Sequence, residues 1–231
     1  MERFSRVASL IGEDALKKLQ SSKVAVFGLG GVGGYALEGL VRSGVGNITV
    51  FDNDTVSLSN LNRQILATEE TLGIDKVSLA ISRAKSINPN INITGVKAFY
   101  MPENADLYPL SNFDFIIDAI DTVTAKIELI RRAKENGVPI ISSMGTGGKT
   151  DISALKVCDI SKTTDCPLAK VMRYELKKRN ITGVPVVFST EKRTGETFTE
   201  KGRHAPSSMI FVPSVAGLML SDYAVKKLIG E

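Results

Sequence analysis

Residues 24–52 decide the fold, and they read VAVFGLGGVGGYALEGLVRSGVGNITVFD. The apolar run at Lys23–Phe27 predicts a buried strand, and the apolar spacing over residues 35–42 predicts a helix. Residues 47–52 predict a second strand. The loop between the first strand and the helix, residues 28–33, has the sequence Gly-Leu-Gly-Gly-Val-Gly. A strand, a glycine-rich turn and a helix in this order are typical of the βαβ unit that binds nucleotides.

The glycines of this loop are the first candidate ligand contacts. Glycine is required where a tight turn and a close approach to phosphate leave no room for a Cβ atom. Asp52 lies 19 positions after Gly33, where a carboxylate can accept hydrogen bonds from ribose hydroxyls. An NAD-dependent oxidoreductase explains these features as well as an ATP-dependent enzyme does. The candidate contacts are Gly28, Gly30, Gly31, Gly33 and Asp52.

A polar cluster further along the chain separates these two alternatives. It consists of Asp54, Asn60, Arg63, Gln64 and Lys76. A dehydrogenase has little use for two cations near the adenosine, whereas an enzyme that cleaves ATP at the α-phosphate must hold the β- and γ-phosphates. Arginine suits a bidentate phosphate contact and lysine a point charge. The alternative interpretation of Arg63 is that it is a solvated loop residue without a ligand. Lys76 lies at a predicted helix start, where the helix dipole disfavours a cation.

Two carboxylates follow another predicted strand. Residues 116–122 read Ile-Ile-Asp-Ala-Ile-Asp-Thr, so Asp121 would lie just beyond the strand, at the edge where ligands bind. A carboxylate at this position can hold Mg²⁺ that is bound to a triphosphate. The alternative is that Asp118 or Asp121 caps the helix predicted to start near Thr124. The residue types alone do not decide between these interpretations.

The alternation of strands and helices predicts the fold class. We expect an α/β, Rossmann-like, doubly wound, mainly parallel sheet with helices on both faces, followed after residue 148 by a C-terminal extension of mixed strands and helices. The chain has no linker, so we expect a single domain over residues 1–231, with nucleotide bound by residues 1–148 and substrate by residues 149–231. The predicted helices are residues 10–20, 35–42, 76–86, 124–135, 167–178 and 215–228. The predicted strands are residues 23–27, 47–52, 91–98, 113–118, 138–143, 152–157 and 184–188, and residues 191–204 are predicted to form a mobile loop.

Composition narrows the class of protein. The chain has 231 residues, of which 43% are hydrophobic, and a formal net charge of +4, which is compatible with a nucleic-acid partner but modest. Two cysteines, Cys158 and Cys166, are too few for a disulfide framework or a four-thiolate zinc site. The amino-terminal segment has no apolar signal core, and the apolar run over residues 209–220 is interrupted by Pro213. We therefore expect a cytoplasmic protein without a membrane segment.

Taken together, these motifs resemble the adenylation domain of ubiquitin-activating enzymes and their bacterial relatives, which include the molybdopterin- and thiamine-pathway adenylyltransferases. The resemblance implies catalytic roles for Arg63, Lys76 and Asp121, with Mg²⁺ held by Asp121. It implies that Asp52 binds the ribose of ATP. It also implies that Arg6 reaches the ATP of a partner subunit, which predicts a homodimer. The residues that this resemblance assigns to the phosphates and the site of attack are Asn60, Arg63, Gln64 and Lys76.

A closer resemblance is to the tRNA threonylcarbamoyladenosine dehydratase branch of this family. It is carried by residues 117–122 with Lys126, by the Gly-Thr-Gly-Gly-Lys run at residues 145–149, and by residues 159–163, 165–168 and 187–191. The branch implies that a threonine carboxylate on a modified tRNA adenosine attacks the α-phosphorus of ATP, after which ring closure releases AMP. The implied cofactors are ATP and Mg²⁺, and the implied partner is tRNA. A partner from a cysteine-desulfurase or sulfur-carrier system stays open.

The alternative within the same family is an adenylyltransferase that activates the C-terminal glycine of a ubiquitin-like sulfur carrier. Many such enzymes carry a pair of Cys-x-x-Cys zinc motifs, and this chain has none. Basic residues late in the chain favour tRNA, because they can contact phosphates, although a solvated surface explains them equally well. They are Lys170, Arg173, Lys177, Lys178, Arg179, Lys192, Arg193, Lys201 and Arg203.

Overall fold

The structure is a computed structural model that describes residues 2–195, 197–200 and 203–231, and only the backbone of residues 197–200 and 203–205. Seven strands form one sheet in the order β3-β2-β1-β4-β5-β7-β6, and two more form a hairpin. Neighbouring strands of the sheet are parallel except β6, which is antiparallel to β7. The strands are β1 (Lys23–Phe27), β2 (Asn47–Phe51), β3 (Asn92–Val96), β4 (Phe115–Asp118), β5 (Ile140–Ser143), β6 (Leu155–Asp159), β7 (Pro185–Ser189), β8 (Thr197–Glu200) and β9 (Arg203–Pro206).

Helices cover both faces of the sheet, as predicted. One face packs against α3, α4 and α7, and the other packs against α5 and α6. Strands β4 and β5 are buried at every residue because they lie in the middle of the sheet under both layers, which explains why each begins with apolar residues. The helices are α1 (Ser5–Ile11), α2 (Glu13–Ser21), α3 (Gly33–Arg42), α4 (Lys76–Ile87), α5 (Val123–Glu135), α6 (Pro167–Lys178) and α7 (Phe211–Ile229).

The strand order places a crevice where the sequence predicts the ligand. The chain moves outward from β1 to β2 and β3, and then returns to the other side of β1 with β4. A reversal of this kind leaves an opening at the carboxyl ends of the two strands, and ligands of doubly wound sheets bind there. The glycine-rich loop follows β1, and Asp121 follows β4. Both therefore lie at this crevice.

Four local predictions were wrong. The helix predicted over residues 10–20 is two helices, because Gly12 adopts φ +88° between α1 and α2. The strand predicted over residues 152–157 begins only at Leu155, after a turn of 3-10 helix. The loop predicted over residues 191–204 contains β8 and part of β9, which pair as a hairpin. Lys201 lies outside the described residues.

The fourth correction concerns the last helix. Pro213 does not interrupt the apolar run, because it lies in the first turn of α7, where a missing N–H costs no intrahelical hydrogen bond. The helix thus begins at Phe211, four residues before the predicted start, and ends at Ile229, where Gly230 caps it in a left-handed conformation. In the described part of the chain, no helix is long and apolar enough to cross a membrane.

Candidate nucleotide-binding site

Two glycines of the loop are required by the packing of the protein itself. Gly28 adopts φ +89°, and a Cβ atom there would lie 2.7 Å from the carbonyl oxygen of Ala119. A Cβ atom at Gly33 would lie 1.8 Å from the carbonyl oxygen of Gly28, which is impossible without moving the loop. These residues let the chain turn tightly from β1 into α3 while the segment after β4 packs against it.

The other two glycines are not explained by packing. The nearest atom to a Cβ atom at Gly30 would be Gln64 Nε2, 4.0 Å away, and a Cβ atom at Gly31 would make only ordinary contacts from 3.4 Å. The backbone N–H groups of Gly30, Gly31 and Val32 donate no hydrogen bond to the residues that the structure describes. Open space beside free N–H groups at the start of a helix suits a phosphate.

Asp52 joins the glycine loop to the strand β2. Its Oδ2 accepts a hydrogen bond of 2.6 Å from the N–H of Leu29, and its Oδ1 accepts one of 2.8 Å from the N–H of Asp54. Burial raises the pKa of the Asp52 carboxyl, and the charge of Lys76 and these two hydrogen bonds oppose that rise. Each oxygen retains a lone pair, so the carboxylate can still accept a hydrogen bond from a ligand hydroxyl.

Lys76 is a buried cation at the first position of α4. Only 5% of its side chain is exposed, and its Nζ lies 3.2 Å from Oδ2 of Asp54, whose side chain is 63% exposed. The N–H of Lys76 also donates to the carbonyl oxygen of Asp54. A helix start disfavours a cation, and a solvated carboxylate compensates a buried ammonium only weakly. This electrostatic conflict would be relieved by an anionic ligand beside Lys76.

Gln64 has an unsatisfied polar atom. Its side chain is buried, and the atom Oε1 has no hydrogen-bond partner among the described residues. A buried amide oxygen without a partner is costly, and such atoms usually have one. The other end of this amide, Nε2, lies 4.0 Å from where a Cβ atom at Gly30 would be, so its N–H groups could donate to a phosphate in the crevice, whereas Oε1 could accept only from a ligand donor such as a hydroxyl.

Asn60 and Arg63 belong to the same short loop. Asn60 is buried, and its Oδ1 accepts a hydrogen bond of 3.2 Å from the N–H of Ser57, which fixes the loop. The guanidinium of Arg63 donates to the carbonyl oxygen of Ser59 and to Asn62 Oδ1. Arg63 makes no ion pair in the described part of the chain. Its positive charge is therefore available to a ligand.

Asp121 does not cap α5. The residue before this helix is Thr122, and no side chain caps the helix, so the alternative that Asp118 or Asp121 is the cap was wrong. Asp121 is exposed at the carboxyl edge of the sheet, and its only hydrogen bond within the described chain comes from the hydroxyl of Thr122. The described residues contain no group of three or more His, Cys, Asp or Glu side chains that could hold a metal. A Mg²⁺ ion at Asp121 would therefore take its other ligands from phosphates and water, as Mg²⁺ commonly does.

The structure does not bring Arg6 to this site within one chain. Arg6 is exposed on α1 and makes no hydrogen bond or ion pair with the described residues. None of the side chains of α1 is buried, and Leu10, one turn after Arg6, is 84% exposed. A helix with no buried face gains little from packing on its own chain.

Sequence reasoning assigned no role to a second group of buried residues nearby. Lys126 belonged to a recognised motif, and Ser142 to a predicted strand, but neither was a candidate for the site. In the structure both contact the fully buried carboxylate of Asp118. A lysine in the middle of an amphipathic helix pattern is usually exposed, so only the packing of α5 against β4 reveals the contact of Lys126.

Comparison with known proteins decides the family. The model of the ThiF family matches residues 4–231. The chain belongs to the ThiF family. A family member from Bacillus subtilis (strain 168), a tRNA threonylcarbamoyladenosine dehydratase, is 41% identical over 244 aligned positions, which cover 100% of this chain and 96% of that protein.

A solved structure and a second relative extend this result. A crystal structure of the Escherichia coli tRNA N6-threonylcarbamoyladenosine dehydratase in complex with ATP superimposes with a TM-score of 0.89 and 35% identity, covering 99% of this chain and 94% of that chain. The molybdopterin-synthase adenylyltransferase of Haemophilus influenzae is 42% identical, but over only 61% of this chain and 58% of that protein. The likeness to the dehydratases thus includes the C-terminal part, whereas this ThiF-family adenylyltransferase matches a shorter region.

Proposed function

We propose that the chain is an ATP-dependent dehydratase that acts on N6-threonylcarbamoyladenosine in tRNA. The threonine carboxylate attacks the α-phosphorus of ATP, pyrophosphate leaves, and an acyl-adenylate forms. A nucleophile within the modification then attacks the acyl carbon and displaces AMP, so that a ring closes and the net change is loss of water. The single observation that carries the ATP part of the proposal is the open glycine loop, where the N–H groups of Gly30, Gly31 and Val32 have no acceptor among the described residues and face space that a phosphate can fill.

The charges around the crevice support this chemistry. Arg63 Cγ would lie 3.4 Å from a Cβ atom at Gly31, and the charge of Lys76 acts on the Asp52 carboxylate that bonds to the glycine loop. Both cations would hold the phosphates and stabilise the charge that develops on the α-phosphate. Asp52 would accept hydrogen bonds from the ribose. Asp121 would hold Mg²⁺, which neutralises phosphate charge when bound. The phosphate contacts that we assign are the N–H groups of the glycine loop and the side chains of Asn60, Arg63, Gln64 and Lys76.

Relatives matched over the full length favour tRNA as the substrate. Both the Bacillus and the Escherichia proteins are named for the modified tRNA nucleoside. The alternative, activation of the C-terminal glycine of a sulfur carrier, shares the same ATP site and is supported by a match over only 61% of the chain. The family assignment argues against a nicotinamide-dependent oxidoreductase. A cysteine-desulfurase or sulfur-carrier partner stays a prediction.

We further propose that the chain acts in the cytoplasm as a single-domain homodimer in which α1 packs against the partner subunit. This would cover Leu10, which is 84% exposed, and would carry Arg6 toward the partner's ATP. Strands from residues 1–148 and 149–231 join one sheet, which supports a single domain. Sedimentation of wild type and Leu10→Asp tests the dimer. A monomeric wild-type protein would contradict it.

The decisive experiment for the activity is mass spectrometry of tRNA nucleosides. tRNA that contains threonylcarbamoyladenosine is incubated with the protein, ATP and Mg²⁺, and AMP is measured in the same reactions. We expect the modified adenosine to lose the mass of one water while AMP and pyrophosphate are released. Release of AMP with a sulfur-carrier protein, and none with tRNA, would instead support the alternative.

A further inference from the structure

A fully buried ion pair contacts the segment that leads to Asp121. The Nζ of Lys126, on α5, lies 2.8 Å from Oδ2 of Asp118, at the end of β4, and both side chains have 0% exposure. The hydroxyl of Ser142, on β5, donates a hydrogen bond of 2.6 Å to the same carboxylate oxygen. The pair therefore connects two neighbouring strands and the helix that follows the site.

This ion pair holds the residue that precedes Asp121 by both of its backbone polar groups. The N–H of Ile120 donates to Oδ1 of Asp118 at 3.1 Å, and Nζ of Lys126 donates to the carbonyl oxygen of Ile120 at 3.1 Å. The neighbouring Ala119 is fixed as well, because its N–H donates to the carbonyl oxygen of Phe27 at 2.8 Å. The segment between β4 and α5 is thus held rigidly, although Asp121 itself is exposed.

Stability alone does not account for a pair of this kind. Two charges removed from water lose more solvation than they commonly regain from each other, so apolar residues of similar volume often serve the core as well. The polar groups that the pair satisfies are those of the segment that carries Asp121. The side chains are therefore arranged to fix a backbone conformation next to the crevice.

We propose that Lys126 and Asp118 are positioning residues that set the geometry of Asp121 toward Mg²⁺ and the triphosphate. The inference rests on the proposed function, because that function supplies Mg-ATP as the ligand. Neither residue touches the ligand, since both are sealed from solvent. They act by holding the two polar groups of Ile120.

The test uses a neutral replacement of both partners, Asp118→Asn with Lys126→Met. Changing both avoids an uncompensated buried charge, which would destabilise the protein for a trivial reason. Calorimetric titration measures binding of a non-hydrolysable ATP analogue at a series of Mg²⁺ concentrations. We expect the Mg²⁺ concentration for half-maximal binding to rise about tenfold while analogue binding without Mg²⁺ stays unchanged, because small misplacements of a ligand are costly.

The matched control neutralises another ion pair on the same helix. Glu128→Gln with Arg132→Met removes a contact of 2.5 Å within an ion-pair cluster that also includes Arg131 and Asp106 and does not contact the segment that carries Asp121. We expect the Mg²⁺ dependence of this control to equal that of wild type. Equal shifts in both variants would overturn the proposal, because they would show a general effect of loosening α5.

A thermodynamic cycle with Asp121→Asn shows whether the pair acts through Asp121. If it does, Asp121→Asn combined with Asp118→Asn and Lys126→Met raises the Mg²⁺ concentration for half-maximal binding no more than Asp121→Asn alone does. Shifts that multiply would overturn the proposal. The positioning role would also be overturned if the wild-type protein bound the analogue equally well at every Mg²⁺ concentration. If the wild-type protein released no AMP with modified tRNA, that result by itself would reject only the proposed function.

A milder variant covers the case in which the neutral pair does not fold. Ser142→Ala removes one hydrogen bond to Asp118 and leaves both charges paired. We expect a two- to threefold rise in the Mg²⁺ requirement with unchanged analogue binding in the absence of Mg²⁺. An unchanged Mg²⁺ requirement in this variant would contradict the positioning role.

Discussion

Lys76 has the most unusual environment among the cations of the site, since its side chain is 5% exposed and its nearest carboxylate is 63% exposed. We predict that Lys76→Met lowers kcat/KM for AMP release by about 100- to 1,000-fold, the range observed when a group that stabilises transition-state charge is removed. The folded state should lose little, because Asp54 can be solvated when the ammonium is gone. Thermal unfolding and AMP release measured on one preparation check both statements.

Lys85 provides the control for this prediction. It is an exposed lysine near the other end of the same helix. Lys85→Met therefore changes the net charge by the same amount as Lys76→Met, but away from the crevice. We expect wild-type AMP release from it. A similar loss in Lys76→Met and Lys85→Met would contradict a specific role for Lys76.

Asp52 predicts a pH dependence. Burial raises the pKa of its carboxyl above the ordinary 3.8, so the folded protein is stabilised by this group below pH 3.8 and loses that stabilisation as the pH rises through the raised value. Asp52→Asn should therefore become more stable relative to wild type as the pH rises from about 4 to 7. Denaturant unfolding at several pH values measures the difference, and a constant difference would contradict the burial effect.

Activity should respond to the same group in the opposite way. A protonated Asp52 loses acceptor capacity for a ribose hydroxyl, so AMP release by wild type should fall as the pH drops through the raised pKa. Asp52→Asn should be slower at neutral pH and should lack this acid limb. A variant that keeps the wild-type acid limb would show that another group causes it.

At the scale of elements, the glycine loop contains two kinds of glycine. Gly33→Ala should destabilise the protein by about 3 kcal/mol, because a Cβ atom there would lie 1.8 Å from a carbonyl oxygen and the loop would have to move. Gly30→Ala should unfold like wild type, because its nearest neighbour would lie 4.0 Å away, but it should bind ATP at least tenfold more weakly. Thermal unfolding and ATP titration of both variants separate the two effects. Strong ATP binding by Gly30→Ala would argue against phosphate at this position.

The sequence predicted regular elements well where one physical signal dominates. The strand β1 and the loop over residues 28–33 were predicted because an apolar run and closely spaced glycines allow few alternatives. Gly12 and Pro213 were misjudged because their effect depends on position: Gly12 ends a helix by adopting φ +88°, whereas Pro213 lies in a first helical turn. The hairpin of β8 and β9 lacks a clear alternating pattern, so its pairing could not be read from the sequence.

Site residues were predictable as types but not as contacts. The sequence placed Asn60, Arg63, Gln64 and Lys76 near one ligand because of their number and charge. It could not show that Lys76 is buried, or that Gln64 Oε1 lacks a partner, since both depend on how the loop folds back toward α3. The contact of Ser142 with Asp118 was equally hidden, because it requires the register of β4 against β5 that places the two residues side by side.

At the scale of the whole molecule, helix α6 presents a group of exposed basic residues. Three lysines of α6 are exposed and make no ion pair in the described part of the chain, namely Lys170, Lys177 and Lys178. Tyr174, which is 68% exposed, lies between them. By contrast, Arg173 and Arg179 are engaged with Thr163 and Glu175. Helix α6 begins near the carboxyl end of β5: Cys166, which precedes α6, has its Sγ 3.5 Å from where a Cβ atom at Gly145, just after β5, would lie.

This surface should bind the phosphate backbone of tRNA, and its contribution can be measured by salt dependence. Replacing the three lysines with glutamine should weaken tRNA binding and reduce the slope of log affinity against log salt by about two to three, because each lost phosphate contact releases about one counterion fewer. ATP binding should not change. The matched control replaces Lys18 on α2, Lys23 at the start of β1 and Lys85 on α4, which are exposed, lie on elements other than α6 and make no ion pair in the described chain. An equal reduction of the slope in both variants would show that tRNA responds to net charge alone, whereas a slope changed only by the α6 variant would place tRNA phosphates on this helix.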